Sequence, residues 1–241
     1  ASRGLGDVYK RQIFVCCIFF ACTDNMQERV QYTLYHAGEN SDELKKVLDH
    51  YQNQPEKLRA ACFLVANMLT HRTYVGKEID SLKQMKKESI QKGRISDEIV
   101  AHWKSFDYSS LQIVKDIDVI KADILIENID LAFEAWEKRS WSKQYSFEDF
   151  CEYVLPYRIG DEPLEKWRRI YYERYSPVLD SLYQGNDVVE AARVMANYLK
   201  EEGFTNHTDF NLPHLGALFL LENRVGYCRD NCDIATYVMR S

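Results

Sequence analysis

A chain of 241 residues can hold one large domain or two small ones, and 46% hydrophobic with 28% charged content is the balance of a globular protein. The 16 Tyr and 4 Trp exclude a disordered chain, because they supply enough burial to offset chain entropy. A net charge of −6 with no basic run excludes the concentrated positive face of a nucleic-acid binder, while 10 Gly and 5 Pro point to long helices and few tight turns.

Residues 1–12 (ASRGLGDVYKRQ) lack an apolar period and read as a non-native segment outside the fold. The run from Ile13 to Cys22 (IFVCCIFFAC) is far shorter than the roughly 20 residues that span a bilayer. It fits the end of a secretory signal, with small Ala21 ahead of Cys22 and polar sequence after it. This arrangement resembles a bacterial lipobox, which implies an exported envelope lipoprotein held to a membrane through lipidated Cys22.

From residue 40 onward the apolar period is helical. Asn40 with Glu43 reads as a capping box, and Leu44, Val47, Leu48 and Tyr51 fall on one face. Pro55 suits a first turn, followed by Leu58, Ala61, Cys62, Val65 and Leu69. Acids and bases alternate from Lys77 to Lys92, as on a solvated helix. Ser96 caps a helix through Trp103, and residues 111–137, apolar on more than one face, predict a central helix packed on several sides. Ser146 and Asp149 form a capping box for a helix that must stop near Leu155, because Pro156 disfavours helical geometry before it.

The aromatic stretch 147–174 reads as packed core rather than as an open groove. Asn186 or Asp187 opens a further amphipathic helix, which Gly203 closes. No repeat or Gly/Ser linker separates the parts. The expected organisation is a helical domain over 23–155 and a second unit over 156–241, with the boundary near Pro156–Pro163.

Seven Cys form no disulfide framework: Cys62 and Cys151 sit at helical apolar positions and read as packing, which leaves Cys228 and Cys232. Leu215, Leu218 and Phe219 predict a short helix ended by Gly226, after which Cys228 opens a new one. A thiol at that place faces open backbone N–H groups and the positive end of the helix, which favours the nucleophilic thiolate. A four-ligand set of His207, His214, Cys228 and Cys232 lacks the usual knuckle spacing, so no metal is expected. A Cys228–Cys232 disulfide suits a regular helix poorly.

Gly226, Cys228, Asp230 and Arg240, twelve positions after the Cys, resemble the nucleophile segment of transglutaminase-like domains, with Cys232 where that family has a small residue. The likeness covers about thirty residues. It implies a mainly α fragment: an amino-terminal helical domain plus the first helices of an incomplete α+β transglutaminase-like core. It further implies a cofactor-free acyl transfer or amide hydrolysis on a protein or peptide, with Cys228 as nucleophile and Gly226 and Asp230 in support. The family places its His and Asp after the Cys, whereas His36, His50, His71, His102, His207 and His214 all precede Cys228. The fragment is therefore expected to be inactive alone and to expose apolar surface on its last helices. The competing reading is a non-catalytic helical scaffold or binding module at the envelope.

Overall fold

The computed structural model describes residues 24–92, 97–105, 107, 109, 111–206 and 213–241. Residues 1–12, expected to be non-native, the signal-like run with Cys22, and Ser96 and His207 lie outside the described residues. The fold is mainly helical, with four short strands among the described residues.

Helices α1 (Asp24–His36), α2 (Ser41–His50) and α3 (Pro55–Asn67) pack around the predicted apolar faces. Leu44, Val47, Leu48, Tyr51, Leu58, Ala61, Cys62 and Val65 are all buried there, and Pro55 begins α3. The expected Asn40–Glu43 capping box does not form. A 3-10 turn over Gly38–Asn40 runs straight into α2, so the carbonyls before it already serve its first amides. Freed from local duty, Asn40 donates its Nδ2 to the carbonyls of Ile117 (3.1 Å) and Ile120 (2.9 Å). Glu43 accepts the N–H of Ala122 at 2.9 Å, so it caps a distant helix instead of its own.

Strand β1 (Arg72–Val75) pairs antiparallel with β2 (Gln112–Lys115), flanking α4 (Lys77–Lys92) and α5 (Asp97–Lys104). The single helix expected over 111–137 is instead β2, a turn α6 (Asp116–Val119) and then α7 (Ala122–Lys138). The β-branched Ile113 and Val114 take a strand because β1 offers them a partner, and the helix begins only past the extended Ile120 and Lys121. Nor is α4 wholly solvated: Ile79, Leu82, Lys86 and Ser89 are buried.

The Ser146 capping box opens α8 (Phe147–Asp149), which continues as a π turn over Phe150–Val154 and stops before Pro156. Next come α9 (Arg168–Leu182) and α10 (Val188–Glu201), the latter capped by Asp187 and closed at Gly203 with φ +92°. Strand β3 (Thr205–Asn206) pairs in parallel with β4 (Val225–Gly226), and α11 (Ala217–Asn223) lies between them. The last element is α12 (Cys228–Arg240). Helix α11 ends on left-handed Arg224 (φ +53°), not on Gly226, which lies in β4.

Two apolar clusters form the core. The first gathers α1–α3, α6, α7 and residues 150–157; the second gathers α9–α12 with Ile79, Leu82, Leu111 and Trp141. Phe150, Tyr157, Trp167 and Tyr171 of the aromatic stretch are buried packing residues, while Tyr153 is exposed. Ile79, Leu82, Leu111 and Trp141, which precede Pro156 in the chain, belong to the second cluster, and Tyr157 belongs to the first. Ile234, Tyr237 and Val238 of α12 are buried against α9–α11, contrary to the apolar exposure expected of the last helices.

Candidate functional site

Cys228 is the first residue of α12 and is exposed, and Cys232 one turn later is exposed and free as well. Cys62 and Cys151 are buried, and burial pushes the Cys151 thiol up to about 12, as packing residues require. The turn into α12 is held from beneath. Asp230 is fully buried, and its Oδ2 accepts the N–H of Tyr227 at 2.8 Å, fixing the residue before the Cys. Gly226 has no side chain because Asp230 occupies the space: a Cβ there would overlap the Asp230 Cβ. Gly226 and Asp230 thus form a packed support, with Cys228 outside it.

Asp230 is matched from another element. Lys86 of α4, fully buried, brings its Nζ to 3.7 Å from Oδ2, and the Arg229 guanidinium lies 3.8 Å from Oδ1. Burial pushes the Lys86 ammonium down to about 8, opposed by the Asp230 charge. A lysine inside an alternating charged helix gives no local sign of this role.

Arg240, the remaining match to the transglutaminase-like pattern, donates to the carbonyls of Tyr153 (2.8 Å) and Arg158 (2.9 Å). Arg168 joins it on the same strand of chain, donating to the Val154 carbonyl (2.8 Å) and the Asn128 Oδ1 (2.8 Å). Together they tie the loop after the π turn to α9 and α12.

His214 and Asp233 form a pair that the sequence reading missed. The His214 Nδ1 lies 2.6 Å from the Asp233 Oδ2, and its backbone N–H donates to Asp161 at 3.0 Å. The hydrogen bond to Asp233 raises the His214 pKa, while burial raises that of Asp233. Asp233 lies five residues past Cys228, about 140° further round the helix, so this pair faces away from the thiol. Its ring also lies hard against Gly160. The pair fastens the segment before α11 to α12.

A raised histidine pKa fixes the sign of a pH effect. The His214 contribution is complete below the ordinary value of 6.5 and is lost as pH rises through the folded value. Wild type should therefore exceed His214→Gln in urea-unfolding free energy most strongly below pH 6.5, the gap narrowing above it. A gap that widens with pH would contradict a charged His214.

A surface groove of about 450 Å³ beside Glu28, Arg29, Tyr32 and Asn67 lies on α1 and α3 and shares no residue with the thiol turn. Among the described residues no three His, Cys, Asp or Glu side chains are grouped to hold a metal ion, and no helix is long and apolar enough to cross a membrane. Comparison of the chain with protein-family models, with curated proteins and with solved structures returns no match.

Proposed function

We propose that this chain carries the nucleophile turn of a transglutaminase-like cysteine enzyme that acts on a carboxamide or peptide carbonyl of a protein or peptide. The supporting observation is an exposed Cys228 at the first position of a thirteen-residue helix, with the preceding N–H pinned by buried Asp230. Negative charge on a sulfur at that position meets the unpaired amides of the first turn. In the reaction the thiolate bonds to the carbonyl carbon and the C–N bond breaks. The amine leaves with the proton that the thiol gave up, and water or a second amine then displaces the sulfur. The histidine and acidic partners that the family resemblance implies follow the Cys in chain order. Lipidated Cys22 would hold such a chain at an envelope membrane.

The two exposed thiols supply the test. Tryptic cleavage after Arg224, Arg229 and Arg240 puts Cys228 and Cys232 on separate peptides, so iodoacetamide incorporation can be followed at each. Cys228 should alkylate about fivefold faster than Cys232, the size of a helix-end interaction of ~1 kcal/mol. Equal rates at the two thiols would remove the nucleophile reading and leave a non-catalytic helical scaffold.

A further inference from the structure

We propose that Lys86 is a positioning residue for the Cys228 thiol, acting through the Asp230 carboxylate. The assignment rests on the thiol reading above and names the residue that keeps the nucleophile turn in place.

A carboxylate buried to zero exposure is sustained only beside a compensating charge and donors. Asp230 has one such donor in its own turn, the Tyr227 N–H on Oδ2. Its Oδ1 accepts no hydrogen bond among the described residues, with Arg229 standing 3.8 Å away. The Lys86 ammonium approaches the same Oδ2 that holds Tyr227, and it is as deeply buried as the carboxylate. Arg229 is partly exposed, at 32%, so its charge is shared with solvent and the enclosed neutralising cation is Lys86.

Position follows from charge. With the ammonium beside it the Asp230 carboxylate is charge-matched inside the fold and holds the Tyr227 N–H in a charge-assisted hydrogen bond. Tyr227 is then held in its extended cap geometry (φ −70°, ψ 169°), and Cys228 begins the helix. Without the cation the buried carboxylate lacks its enclosed counter-charge and draws in water, the cap weakens, and the first turn frays by a residue. The thiol then leaves the open amides of the first turn. The neighbouring surface pair Lys87–Glu222 (3.0 Å) also links α4 to α11 and does not involve Lys86.

The test compares alkylation rates of Cys228 and Cys232 in wild type, Lys86→Met and Lys86→Arg, with buried Cys62 and Cys151 reporting that each protein is folded. Wild type should favour Cys228 about fivefold, Lys86→Met should bring the two rates within about twofold, and Lys86→Arg, which keeps the cation, should retain the preference. Cys232 should react alike in all three, a result that general loosening would not give. If Cys62 and Cys151 become reactive in Lys86→Met, the double variant Lys86→Met with Asp230→Asn, which buries no lone charge, is measured in its place. It too should lose the preference.

A wild-type preference that persists in the folded Met variant, or that Lys86→Arg abolishes as fully, overturns the role of Lys86 while the thiol reading stands. A wild type with no preference removes the thiol reading itself, and this assignment with it.

Discussion

Replacing Arg158 by alanine is expected to destabilise the fold by about 3–5 kcal/mol, the cost of leaving a buried charge without its partner. Arg158 and Asp116 are both buried, and the guanidinium forks onto the carboxylate, with Nη2 2.6 Å from Oδ1 and Nε on Oδ2. The same Nη2 donates to the Thr73 Oγ1 at 2.7 Å, and Nη1 donates to the Glu162 carbonyl. One side chain therefore joins β1, α6 and the loop after the π turn.

Tyr157 adds a fourth tie. Its hydroxyl donates to the Asp116 Oδ2 at 2.9 Å, so the His71 Nδ1, 2.9 Å from the hydroxyl oxygen, must carry the proton that it donates back. Removing Arg158 leaves the Asp116 carboxylate with the Tyr157 hydroxyl as its remaining hydrogen-bond donor among the described residues. At 241 residues the loss corresponds to a fall in Tm of roughly 6–20 °C. Urea unfolding should show the midpoint dropping with the slope unchanged. A loss below about 1 kcal/mol would mean that breaking the Arg158–Asp116 pair leaves no uncompensated buried charge. Arg158→Lys should recover only part of the difference, because an ammonium cannot fork.

This network marks the limit of what the sequence discloses. The helical faces of α2 and α3 were legible because they repeat at three and four residues. The caps at Pro55, Ser146, Asp187 and Gly203 were legible because each is chemistry between residues at most three apart. Cys228 at a helix start is of the same kind, since a Gly, a turn and an amphipathic run suffice to predict it. What failed was long-range. Asn40 and Glu43 carry a local capping pattern, yet partners near residue 120 took both side chains. Arg158 and Asp116 stand 42 residues apart, and His214 and Asp233 stand 19 apart, with nothing at either end to announce the other. Lys86 was hidden by its own neighbourhood: alternating charges predict a solvated face, and only the approach of α12 decides which lysine is enclosed.

Gly226→Ala should separate the packing of the turn before Cys228 from its charge. Gly226 does not need a left-handed backbone; it needs the absence of a Cβ, which would overlap that of Asp230. The methyl must push β4 or the first turn of α12 aside. A shift of β4 breaks its parallel pairing of Asn206 with Gly226, and a shift of α12 draws the Asp230 Oδ2 away from the Tyr227 N–H. Overpacking of this kind costs about 1–3 kcal/mol. The alkylation preference of Cys228 over Cys232 should fall together with stability.

Gly203→Ala provides the contrast. That glycine has φ +92° with open space where a Cβ would stand, so its substitution costs backbone strain of roughly 1 kcal/mol and places no atom against Asp230. Both variants lose stability, but only Gly226→Ala should lose the thiol preference. If Gly226→Ala stays folded and keeps that preference, the support beneath Cys228 is not what sets its reactivity. If Gly203→Ala loses it, the preference reports general loosening and not the geometry of one turn.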